Sequence, residues 1–159
     1  MSTRVADGLG LIARLVLGIV FLVAGALKVT TPEALVKATQ AYQVLPHDLA
    51  AYVGYALPII EIILGLLLIV GLFTRASAVI TSLLLVAFII GIAQAWARGL
   101  TIDCGCFGGG GTVGAGETSY LPRILEDVGL LVCGLWLSWR PTSFLSLERT
   151  LFGSAVEPH

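Results

Sequence analysis

Four long apolar runs, at about Leu9–Val29, Leu49–Phe73, Ala76–Ala97 and Tyr120–Trp139, alternate with three polar connections of different character. A helix needs roughly 20 mostly apolar residues to cross the hydrocarbon core of a bilayer, and each run supplies them. The pattern therefore predicts an all-α fold, a four-helix transmembrane bundle. The first run could pass for a secretory signal, because Val23-Ala24-Gly25-Ala26 offers small residues to a peptidase. Its length and the interrupting Arg14 favour an uncleaved anchor instead.

The connections refine this picture. Thr31-Pro32-Glu33 reads as an N-cap, a first-turn proline and an early acid. A short surface helix should start there and stop before Pro46, with Leu35, Thr39 and Tyr42 on one face. A tight turn at Thr74-Arg75 should make the second and third spans antiparallel neighbours. The third connection, Gly99–Ser119, is a glycine-rich loop with two closely spaced cysteines. Basic residues divide evenly, with Arg4, Arg75, Arg140 and Arg149 on one side and Lys28, Lys37, Arg98 and Arg123 on the other. That count ties the positive-inside rule. Lys28, Arg98 and Arg123 lie at helix ends, however, where they can face the bundle. On that ground both termini are expected in the cytoplasm and the cysteine loop outside.

Composition strengthens the membrane reading. The 159 residues are 57% hydrophobic and 12% charged, against about 25% charged in an ordinary soluble domain. A net charge of -1 argues against a nucleic-acid partner, which calls for a basic face. The length suits one membrane domain, taken as residues 1–145, followed by a cytoplasmic tail over 146–159.

Polar residues inside the spans form stripes. Arg14, Gly18, Phe21, Gly25 and Lys28 share one face of the first helix, and Gly54, Pro58, Glu61, Gly65 and Leu68 share one face of the second. Small residues on such faces let helices approach closely. Aligning the two spans by their ends puts Arg14 and Glu61 within about 5 Å in depth at 1.5 Å per residue, so a buried ion pair is expected between them. Its role is either functional or only to lock the bundle. At the outer end, Lys28, Gln94, Arg98, Arg123 and Asp127 should converge on the surface that carries the cysteine loop. They would form a polar pocket beside the thiols, or they snorkel to the headgroups. Trp96, Tyr120, Trp136 and Trp139 fit interfacial aromatic belts.

Asp103-Cys104-Gly105-Cys106-Phe107-Gly108 carries the chemistry. Thiols one residue apart close a ring only through a bent backbone, which Gly105 permits. A strained disulfide of this kind is an oxidising and labile one. Arg98 and Arg123 would favour a thiolate there, and Asp103 would oppose it. A purely structural disulfide would close too short a loop to restrict the unfolded chain. A metal site would need further ligands, and the only histidines are His47 and His159. Redox exchange, a structural bridge and a metal site all remain open at this point. Cys133 lies far along the fourth helix and reads as an inert buried thiol.

Together these pieces resemble the DoxX/MauE family of four-helix bacterial membrane proteins. The resemblance rests on Arg14-x3-Gly18 with Gly25 and Lys28, on Tyr42-Gln43-Val44-Leu45-Pro46, and on Pro58-x2-Glu61-x3-Gly65. It continues through the Asp103–Gly108 motif and Arg123-x3-Asp127, and the cysteine motif points to the MauE-like branch. The resemblance implies a bacterial plasma-membrane component that works with thioredoxin-like proteins or a membrane redox complex. For MauE it implies a role in methylamine utilisation, the maturation of a disulfide-rich enzyme subunit. DoxX relatives are linked to quinone-coupled electron transfer. The reading that follows is a redox-associated protein whose Cys104 and Cys106 exchange disulfides with an extracytoplasmic partner. No cofactor site is evident, and a quinone is the acceptor such a protein would call on. A non-catalytic scaffold for a redox complex is the alternative, and a small-solute transporter a third.

Overall fold

A computed structural model describes residues 3–103, 111–112, 114 and 119–140. The expected tail over 146–159 lies outside the described residues. Five helices follow one another: α1 (Thr3–Thr30), α2 (Pro32–Ala41), α3 (His47–Val70), α4 (Thr74–Ala97) and α5 (Tyr120–Trp139). A two-residue antiparallel ladder, β1 (Ile102–Asp103) with β2 (Gly111–Thr112), interrupts the connection read as a loop.

α1, α3 and α4 are each long and apolar enough to cross a membrane, so the chain is a multi-pass membrane protein. Their outward faces expose large apolar side chains, among them Ile12, Ile19, Tyr52, Ile59, Leu83 and Ile90. α5 has 20 residues, about 30 Å of helix, but carries Arg123, Glu126 and Asp127 near its start. It differs from the other three in that respect.

α2 begins where the threonine–proline pair places it and ends at Ala41, short of Pro46, burying Leu35 and Ala38. The tight turn falls earlier than expected. Gly71 takes a left-handed conformation (φ 75°) and closes α3 through its N–H to the Leu67 carbonyl. Phe73, also left-handed, starts α4, so Thr74 and Arg75 form its first turn rather than the bend. Glycine is the residue that enters this conformation without steric cost.

α1 and α3 pack most closely. A methyl group added at Gly65 would come 2.7 Å from the Leu22 nitrogen, and one at Gly25 would come 2.8 Å from the Pro58 carbonyl. These contacts are backbone against backbone, and only glycine allows them. α5 lies along α4 and α1, with Gly134 against Ser82. Leu17, Phe21, Leu64, Leu68, Leu85 and Leu137 fill the space between the helices. α3 and α4 touch little beyond their shared turn, and an apolar groove of about 320 Å³ opens beside them.

Candidate functional site at the Lys28 end of the bundle

The glycine contacts set the register of α1 against α3, and the register decides which charges meet. Gly25 faces Pro58 and Ile62, while Gly65 faces Gly18 and Leu22. Glu61 therefore stands between the levels of Leu22 and Gly25, about one turn from Lys28 and well over 10 Å from Arg14 along the axis. The expected Arg14–Glu61 pair does not form. Glu61 Oε1 accepts from Lys28 Nζ at 2.6 Å instead. Arg14 is buried elsewhere, about 21 Å along α1 from Lys28.

The Lys28–Glu61 pair lines a small cavity of about 30 Å³, room for one or two waters. α4 supplies Leu85 and Phe88, and α5 supplies Arg123, Glu126, Asp127 and Leu130. The Phe88 ring faces Lys28 Nζ, 5.4 Å from its centroid, a cation–π arrangement. Arg123 and Glu126 pair at 3.1 Å on the half-exposed rim. Exposure is 3% at Lys28, 1% at Glu61 and 8% at Asp127, so these three groups are enclosed. Glu61 Oε2 and Asp127 Oδ2 are buried acceptors with no hydrogen-bond partner among the described residues. Lys28 and Phe88 also line the apolar groove beside α3 and α4, with Leu35, Tyr42, Leu57 and Leu84. They are the shared wall between a charged cavity and an apolar one.

Gln94 and Arg98 belong to a different cluster. Gln94 donates to the Tyr42 carbonyl at 3.0 Å, and the exposed Arg98 donates to the Tyr42 and Gln43 carbonyls and to the Gln94 and Gln43 side-chain oxygens. Gln43 has a positive φ of 51°, and these bonds hold the bend in which it sits. Arg98 thus ties the α2–α3 connection to the end of α4 and does not join Lys28 and Arg123.

The cysteine segment springs from the same end. Its flanks are paired, Ile102 with Thr112 and Asp103 with Gly111, and the ladder lies against α2. Ile102 is buried with Ile92, Ala95 and Tyr120. The Tyr120 ring stacks on Trp96 at 6.1 Å, and its hydroxyl donates to the Leu100 carbonyl. Tyr120, buried against Ile102, thus supports the ladder, while Trp96 is exposed on its outer side. Cys104 and Cys106, with the Asp103 side chain, lie outside the described residues. Cys133 is half-buried rather than buried and unpaired.

Sequence reasoning missed Phe88, Glu126 and the true partner of Glu61. The last was within reach. Opposing Gly18 to Gly65, instead of span end to span end, sets Glu61 level with Leu22, nearer to Lys28 than to Arg14.

Residues 6–140 match the family model described as methylamine utilisation protein MauE. No curated protein and no solved structure matches the chain.

Proposed function

The chain belongs to the MauE family, and from that premise we propose that it is a redox-associated protein of the bacterial plasma membrane. It crosses the bilayer four times with both termini in the cytoplasm. α5 is the fourth crossing, a reading supported by the apolar side chains it exposes along its length, Leu121, Leu125, Val128, Val132, Leu135 and Trp139. Cys104 and Cys106 exchange disulfides with an extracytoplasmic thioredoxin-like partner, as in maturation of a disulfide-containing protein.

One observation carries this reading. The flanks of the Cys-Gly-Cys segment are tied by a ladder and seated on Ile92, Ala95 and Tyr120, at the bundle end that holds Lys28, Arg123 and Asp127. In the exchange a partner thiolate attacks one sulfur of the Cys104–Cys106 disulfide, giving a mixed disulfide and a free thiolate. The partner's second thiolate then displaces the remaining cysteine. The partner leaves oxidised, and Cys104 and Cys106 hold two electrons as a dithiol. Return to the disulfide needs a two-electron acceptor, which a membrane quinone would supply. The apolar groove with Lys28 in its wall has the size and lining to hold such a group.

The test is covalent trapping. Membranes carrying Cys106→Ser, quenched in acid, should yield a mixed disulfide through Cys104 to a thioredoxin-like protein. If neither single-cysteine variant traps a partner and the Cys104→Ser/Cys106→Ser protein still supports maturation, the exchange reading fails and a scaffold role takes its place.

A further inference from the structure

We propose that the small cavity at the Lys28 end binds one exchangeable proton, held between Glu61 Oε2 and Asp127 Oδ2. This site is distinct from the thiol chemistry and needs neither cysteine.

Among the described residues, the walls bring two cations, Lys28 and Arg123, against three carboxylates, Glu61, Glu126 and Asp127. α1 contributes Lys28, α3 Glu61, and α5 Arg123, Glu126 and Asp127, while the α4 residues Leu85 and Phe88 carry no charge. Arg123 and Glu126 neutralise one another on the rim, and Lys28 and Glu61 neutralise one another inside. Asp127 is left as the surplus carboxylate, 8% exposed. A buried charge without a partner costs several kcal/mol, and a carboxylate escapes that cost by taking up a proton.

Hydrogen-bond accounting gives the same answer independently. Glu61 Oε2 and Asp127 Oδ2 are both buried acceptors without donors, and both residues line the one small cavity. Two ionised carboxylates have only acceptors to offer each other. One proton turns either of them into a donor, so a single O–H bond, direct or through a water in the 30 Å³ cavity, satisfies both orphaned oxygens at once. A metal ion is a poorer fit, since Lys28 already places a positive charge at this spot.

Infrared spectroscopy of the full chain in lipid nanodiscs tests the site. Exposed carboxyl groups are ionised above about pH 6, so a carboxylic-acid band that persists above it reports a buried protonated group. The expected result is such a band, sensitive to deuterium exchange, that shifts in protein labelled with carbon-13 aspartate or glutamate. It should be lost in Asp127→Asn or in Glu61→Gln. The isotope shift needs no substitution, so it reads the site even if a variant fails to fold. Absence of the band from the labelled, unmutated protein, or a band that survives both substitutions in folded protein, overturns the proposal.

Discussion

The two seams made by α3 contrast sharply. Against α1 it packs backbone on backbone, with Gly25 and Gly65 leaving no room for a methyl group. Against α4 it shares little beyond the Gly71–Phe73 turn, and a groove of about 320 Å³ lies beside that seam. The first seam fixes a register and thereby pairs Lys28 with Glu61. The second leaves space that side chains do not fill. A membrane bundle gains nothing from the hydrophobic effect when helices meet within lipid, so close packing is what holds a seam together. Where the backbones do not meet, the helices stay apart and a cavity results.

The contrast can be broken most severely at the ion pair. Glu61→Ala should destabilise the bundle by about 3–5 kcal/mol, because the buried Lys28 then loses the carboxylate it is hydrogen-bonded to. Equilibrium unfolding in mixed micelles measures this, and Lys28→Met combined with Glu61→Leu should recover much of the loss. Gly65→Ala comes next, at about 1–3 kcal/mol, since the added methyl group meets the Leu22 backbone, which cannot move aside. Arg98→Ala should cost less overall and act locally. Hydrogen exchange should rise in the connection after α2, around Tyr42 and Gln43, with α1 and α3 unchanged. Gly91→Ala sharpens the comparison from the other side. Its methyl group meets only the Tyr42 ring, at 3.7 Å, so stability should change by less than about 0.5 kcal/mol. An effect as large as that of Gly65→Ala would show that the two seams do not differ as described.

Much of this architecture was legible in the sequence. Hydrophobic run length located all four long helices, and Thr31-Pro32-Glu33 announced α2. The glycine stripes on α1 and α3 were visible as well. Their register was not, because the helix ends do not line up: the first turns of α3 run past the end of α1 and pack on α2, with Gly54 against Val36. A shift of a few residues moves a charge by a whole turn, enough to exchange Arg14 for Lys28 as the partner of Glu61. The turn after α3 was misplaced for a related reason. Gly71 is the natural stop, but Phe73 adopts a left-handed conformation that its type does not advertise. The convergence of polar residues at one end was foreseen in outline. Its division into a Lys28 cavity and an Arg98 latch depends on where α2 ends, and that was beyond the pattern. Tyr120 looked like a belt residue because an interfacial aromatic and one that anchors a ladder have the same sequence signature.

The cysteine pair is where the functional account stands or falls, and its redox state can be read directly. Full-length protein in nanodiscs, with Cys104 and Cys106 oxidised, is mixed with a reduced thioredoxin-like protein, quenched in acid and labelled with a mass-tagged alkylating reagent. The account predicts that Cys104 and Cys106 gain one label each as the partner becomes oxidised in equal amount, while labelling of Cys133 does not change. A pair that remains unlabelled, beside a partner that remains reduced, would contradict it.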